Sequence, residues 1–123
     1  MVRENAATVA IVDDDDEVRD VLRGLLESEG HTVETYKSGS QFLAEAKLDE
    51  IGCLVVDQRM PGMTGLELIS AINDDGVTIP TLLITGAHDN DVARRAESLG
   101  AMTVMEKPLS SGALLRFVAF SAG

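Results

Sequence analysis

Four aspartates in succession, Asp13 to Asp16, follow a β-branched run, and a single aspartate, Asp57, follows another. Thr85 and Lys107 each stand at or just beyond later apolar runs. Carboxylates, a hydroxyl and an ammonium brought together suit the handling of a phosphoryl group. Clustered carboxylates repel one another, and without compensation some would have raised pKa values. A hard divalent cation removes that repulsion. Magnesium takes one or two carboxylates and fills its remaining positions with water and phosphate oxygens. Asp57 can then attack phosphorus, because the ion screens its charge and polarises the incoming group. Lys107 offers a second positive charge and Thr85 a hydrogen bond to a phosphoryl oxygen. The product would be an acyl phosphate on Asp57.

Each residue also has an ordinary structural reading. The run from Asp13 to Asp16 suits a helix amino-terminus, and capping is assigned to Asp15 or Asp16. Asp57 suits a turn. Thr85 and Lys107 are unremarkable taken singly. The chemical reading depends on the elements that would bring all of them to one place.

Those elements alternate along the chain. TVAIV (Thr8 to Val12) reads as a strand, and Val18, Val21, Leu22, Leu25 and Leu26 recur at helical spacing from Glu17 to Glu29. Gly30 stops that helix, and His31 to Tyr36 alternates as a strand. Ser38 can cap a second helix carrying Phe42, Leu43 and Ala46. IGCLVV (Ile51 to Val56) is nearly all apolar, as expected of a central strand covered on both faces. A helix with Leu66, Leu68, Ile69 and Ile72 follows, then a strand from Pro80 to Ile84. Asp89 or Asn90 caps a helix running through Leu99, and Gly100 ends it. Ala101 to Met105 makes a fifth strand, and a last helix runs from about Ser110 to Phe120. Five βα units imply a parallel sheet with helices on both faces, and residues 1–123 are expected to form a single domain. Ligands of such sheets bind at the carboxyl ends of the strands. Asp13, Asp14, Asp57, Thr85 and Lys107 all fall at those ends.

Composition narrows the class of function. The 123 residues carry 21 acidic and 10 basic side chains, a net charge of −11, and only three Phe, one Tyr and no Trp. That surface repels phosphate backbones and anionic lipid, which excludes direct nucleic-acid or membrane binding and favours a metal ion or a basic patch on a partner. The core must be aliphatic. Cys53 lies in an apolar run without a second cysteine to pair with, and is expected to be a reduced core thiol in the cytoplasm. MVRENAA has no apolar signal-peptide segment.

With these residues placed, the sequence resembles the receiver domain of bacterial two-component response regulators. The resemblance runs from about Thr8 to Phe120 and is carried by VAIVDDDDEVR, CLVVDQRMPGMTGLELI, LLITGAHD and VMEKPL. DQRMPGMTGLEL is most similar to receivers of the FixJ/LuxR-type group, which are attached to helix-turn-helix transcription factors. The resemblance implies a flavodoxin/CheY-like (βα)5 fold with strand order 2-1-3-4-5. It implies that Asp57 takes a phosphoryl group from a sensor histidine kinase or phosphotransfer protein, and that the domain catalyses its own phosphorylation and dephosphorylation without being a turnover enzyme. Magnesium, with manganese able to substitute, would be held by Asp14 directly, by Asp13 mainly through water, by Asp57 and by the backbone carbonyl of Arg59. Thr85 and Lys107 would bind the phosphoryl group and transmit its presence. Gly86 and Pro108 would shape the switch segments, with Lys107–Pro108 cis. Arg59 and Ala87 occupy positions that tune phosphoryl lifetime in the family.

Val104 departs from the pattern, because the family places Tyr or Phe there and that ring swings inward on phosphorylation. The last helix carries Leu114, Leu115, Phe117, Val118 and Phe120, which suits a well-buried terminal helix; the alternative is a homodimer or output contact near Leu115 and Phe120, on the surface of the fourth helix, fifth strand and fifth helix. Beyond Gly123 the sequence shows no DNA-binding segment, so a stand-alone or excised receiver is expected, its output transcriptional. Two other classes of function compete. Asp14 to Val18 also matches the D-x-D-x-[TV] pattern of haloacid-dehalogenase-like phosphohydrolases, although Asp57 would then have no task. A receiver-like interaction module that works without phosphorylation is the other.

Overall fold

The computed structural model describes residues 8–86, 90–101 and 103–122. β1 (Thr8–Val12), β2 (Val33–Tyr36), β3 (Ile51–Asp57), β4 (Thr81–Thr85) and β5 (Thr103–Glu106) alternate with α1 (Asp16–Ser28), α2 (Gly39–Glu45), α3 (Gly65–Asp74), α4 (Asn90–Ser98) and α5 (Ser111–Ala122). The strands form one sheet in the order β2-β1-β3-β4-β5, and every neighbouring pair is parallel. The order reverses between β1 and β3, which makes a crevice at the carboxyl ends of those two strands.

Strand residues alternate between two apolar layers, as a period of two requires. Ala10, Val12, Leu54, Val56 and Leu83 face Phe42, Leu66, Ile69, Ile72, Val92 and Ala96 of α2, α3 and α4. Val9, Ile11, Cys53, Val55, Leu82 and Ile84 face Leu22, Leu26, Leu114, Phe117 and Val118 of α1 and α5. The unbroken apolar run of β3 is explained by this double coverage. Tyr36 packs edge-on against Phe42, with ring centroids 5.1 Å apart, an aromatic pair in a core otherwise dominated by aliphatic side chains.

Several element boundaries differ from those read in the sequence, and each for a hydrogen-bonding reason. His31 does not begin β2: its N–H donates to Leu26 O while Gly30 N–H donates to Glu27 O, closing the end of α1. Gly30 sits at φ +89°, where a Cβ would be strained. Ala101 is likewise held back from β5, since its N–H donates to Ala96 O at the end of α4. α2 is only two turns long, and a 3-10 turn over Leu48–Glu50, which the sequence reading lacked, leads into β3. Val21, one of the apolar positions whose spacing marks α1, is 68% exposed. Of the two expected caps for α1, Asp15 serves, accepting from Glu17 N–H at 2.9 Å and Val18 N–H at 3.2 Å. Asp89 lies outside the described residues. Among the described residues, no helix is long and apolar enough to cross a membrane.

Candidate functional site

β1 and β3 deliver their terminal carboxylates to the crevice between them. Asp13 and Asp57 are buried and Asp14 is exposed, yet one carboxylate oxygen from each lies within 4.8 Å of the others. Asp13 is anchored on both sides, with its N–H donating to Tyr36 O at 3.1 Å and its Oδ1 accepting from Asp15 N–H at 2.9 Å. Burial raises the pKa of its carboxyl above the ordinary 3.8; the Asp15 N–H opposes this, Asp57 adds to it, Lys107 opposes it and Asp14 adds to it. The Oδ1 atom of Asp57 is buried and has no hydrogen-bond partner among the described residues.

The other carboxyl oxygen of Asp57 faces the cation expected from the sequence. Lys107 Nζ lies 3.4 Å from Asp57 Oδ2, across fifty residues of chain. β3 and β4 pair Asp57 with Ile84, which puts Thr85 one step further along the neighbouring strand. Thr85 is buried, and its main-chain carbonyl accepts from Lys107 N–H at 2.9 Å. The hydroxyl-bearing strand end and the lysine-bearing loop therefore share a backbone hydrogen bond. The Lys107–Pro108 peptide is cis. Gly86 is exposed at the end of β4, and Val104 on β5 is half-buried against the layer shared by α2, α3 and α4. Ala87 lies outside the described residues.

The loop after Asp57 is closed by a residue the sequence reading passed over. Gln58 N–H donates to Ile84 O at 2.8 Å, Gln58 O accepts from Gly65 N–H, and Gln58 Oε1 accepts from Leu66 N–H at 2.9 Å. Thr64 and Glu67 complete a capping box on the same helix. The N–H groups that open α3 are thus satisfied, half of them by Gln58. Arg59 is exposed within this clasped loop, and Met60 is buried beneath it. Gly65 permits the close approach: a Cβ there would sit 2.8 Å from Asp57 O and 2.6 Å from Leu83 Cδ1.

The family model for the response regulator receiver domain matches residues 9–119. The chain belongs to that family. The receiver is 42% identical over 116 residues to the transcriptional regulatory protein FixJ of Azorhizobium caulinodans, an alignment covering 94% of this chain and 54% of that protein. It is 38% identical over 105 residues to the C4-dicarboxylate transport transcriptional regulatory protein DctR of Rhodobacter capsulatus, covering 84% of this chain and 53% of the other. The chain thus spans about half the length of these relatives. Among solved structures, FixJ-N superposes with a TM-score of 0.85 at 36% identity, covering 94% of this receiver and 92% of that chain. The response regulator StyR gives a TM-score of 0.87 at 41% identity, with 94% and 58% covered.

A receiver of this family implies a magnesium ion, and the acidic cluster fits one. The three contributors are all oxygen donors, the set a hard cation prefers, and Asp57 Oδ1 is a buried acceptor without a partner among the described residues. The phosphohydrolase pattern does not assemble. Asp16, its second aspartate, lies in the first turn of α1 and pairs with Arg19, outside the cluster.

Proposed function

We propose that this receiver is a phosphorylation switch in which Asp57 accepts a phosphoryl group from the phosphohistidine of a sensor kinase or phosphotransfer protein. One observation carries the reading: Asp57 is buried beside the carboxylates of Asp13 and Asp14, with one oxygen unpartnered among the described residues and the other facing Lys107. An oxygen of Asp57 attacks phosphorus, the P–N bond of the donor breaks as the P–O bond forms, and the electron pair leaves on the imidazole nitrogen. Lys107 offsets the charge on the phosphoryl oxygens, and the Thr85 hydroxyl donates to one of them. Asp13, Asp14, Asp57 and the carbonyl of Arg59 would hold magnesium. When bound, the ion supplies positive charge that relieves the carboxylate repulsion and neutralises the transferring group.

The phosphoryl group biases a two-state element. Thr85 and Lys107 are joined through their backbones, so a pull on either one moves the β4 and β5 ends together. Val104 has no ring to swing, and the readout runs through these backbones and α4. Residues 1–123 act as one receiver in the cytoplasm, with Cys53 a buried reduced thiol. The relatives are named as transcriptional regulators, and the output of this receiver is transcriptional in the same way, carried by a separate segment or partner.

The output face is α4, β5 and α5. Phe120 is 82% exposed beside a groove of about 780 Å³ lined with Thr103, Met105 and Phe117, whereas Leu115 packs back onto the α1 side. Acidic residues crowd α1 to α3, but residues 90–122 hold Arg94, Arg95, Lys107 and Arg116 against Asp91, Glu97 and Glu106. A second copy meets less like-charge repulsion here than elsewhere.

Intact mass after incubation with magnesium and a small acyl-phosphate donor tests the switch. One added phosphoryl group, absent from Asp57→Asn and blocked by chelator, is expected. A folded, magnesium-loaded protein that neither gains mass nor releases phosphate from the donor would instead be an interaction module.

A further inference from the structure

Arg19 is a buried charged side chain that the phosphoryl chemistry above does not use. It is 8% exposed and shares the inward stripe of α1 with Leu22 and Leu26. A guanidinium withdrawn from water is costly unless its hydrogen bonds are made. Nη1 donates to the main-chain carbonyl of Asp13 at 2.6 Å, and Nη2 donates to the carboxylate of Asp16. The fork therefore ties the residue that follows β1 to the residue that begins α1.

Between those two anchors lie only Asp14 and Asp15. Asp15 is fully committed, its carboxylate capping α1 and its N–H donating to Asp13 Oδ1. The carboxylate of Asp14 makes no hydrogen bond among the described residues, so it is held in the cluster by the shape of the turn alone. Arg19 is the side chain that fixes both ends of that turn.

We propose that Arg19 is a positioning residue for the divalent cation, holding the Asp13–Asp14 turn in the shape that brings both carboxylates to Asp57. The inference rests on the magnesium reading of those three aspartates and adds a residue to it. It also has a sign that a charge effect would not share. Arg19 is itself a cation near a cation site, so removing its charge alone would tighten metal binding. Losing the turn geometry weakens it, and partners that orient metal-binding carboxylates typically contribute roughly ten- to a hundredfold in affinity.

Magnesium titrations followed by amide shifts in NMR separate the cases, using the full chain and its Arg19→Lys and Arg19→Gln variants. Each is measured with sucrose present, at a temperature where circular dichroism shows it folded, and metal-free melts record any stability loss separately. Arg19→Lys keeps the charge but lacks the planar fork that reaches two acceptors. Arg19→Gln removes the charge and keeps one donor. Both are expected to bind magnesium at least about tenfold more weakly than wild type. Affinity that is unchanged or tighter in either folded variant, beside normal binding by wild type, overturns the inference and leaves the magnesium reading intact. A wild type that binds no magnesium, or binds it equally well as Asp14→Asn, overturns both.

Discussion

Gly65→Ala places a methyl group where the structure has no room. The added Cβ would lie 2.6 Å from Leu83 Cδ1, 2.8 Å from Asp57 O and 3.1 Å from Gln58 Cα. Two of these are main-chain atoms at the end of the central strand, and Leu83 is fully buried, so its methyl cannot swing to solvent. Forcing an extra methyl into a packed core costs about 1–3 kcal/mol. The backbone contacts place this site at the upper end, near 3 kcal/mol. Restricting the unfolded chain returns about 0.4–1 kcal/mol. A net loss of about 2 kcal/mol follows, a fall in melting temperature of roughly 8 °C for a chain of this size. The strain falls on Asp57 itself, and a misplacement approaching an ångström slows a positioned reaction by about 100-fold. Phosphorylation by an acyl-phosphate donor should therefore slow by more than about tenfold at saturating magnesium. Urea unfolding and timed intact mass measure the two effects. An unchanged midpoint with unchanged phosphorylation would refute the reasoning, because it would mean that α3 moves away from β3 without cost.

Burial raises the carboxyl of Asp13, so the folded state holds that proton more tightly than the unfolded chain. Its contribution to stability is present below the unfolded value of 3.8 and is lost as pH rises through the folded pKa. Asp13→Asn should therefore unfold at higher urea than wild type at pH 7 without metal, with the gain shrinking toward pH 3; a midpoint at or below wild type at pH 7 contradicts this. Lys107→Met removes an ion pair whose lysine side chain is 45% exposed but whose aspartate is 5% exposed, so it leaves a buried carboxylate without its cation and should lower stability by about 1–3 kcal/mol. Its phosphorylation rate should fall by about 100-fold, and a near-normal rate would count against the assigned role. Phe120→Asp should leave the urea midpoint within about 0.5 kcal/mol of wild type. The phosphorylated protein should dimerise with rising concentration in sedimentation and Phe120→Asp should not; a variant that still dimerises would place the contact elsewhere.

The gathering of the candidate side chains was legible in the sequence because a parallel βα chain has little freedom in where its strand ends meet. Once TVAIV, IGCLVV and PTLLI are strands, Asp13, Asp57 and Thr85 must gather at one edge, and Lys107 follows the last strand onto it. What escaped depended on contacts between elements. Arg19 lies three and seven residues from Leu22 and Leu26, a spacing that marks it as inward-facing. Its charge hides that signal until the Asp13 carbonyl and Asp16 appear as partners. Val21 satisfies the same helical period but points away from the core, since apolar positions at both three and four residues define two overlapping stripes. Gln58 gives no sequence signal, because its partner N–H groups are set by how closely α3 approaches β3. Leu115 and Phe120 look alike in the α5 pattern; only packing separates the half-buried one from the exposed one.

Reductive trapping of the phosphorylated protein bears most directly on Asp57 as the phosphoacceptor. Borohydride converts an aspartyl phosphate to homoserine, and peptide mass spectrometry then reads the position. Homoserine at position 57 alone, dependent on magnesium and on the donor, is the expected result. Homoserine at 13 or 14, or a stable adduct on a histidine or serine with position 57 unchanged, would contradict the account.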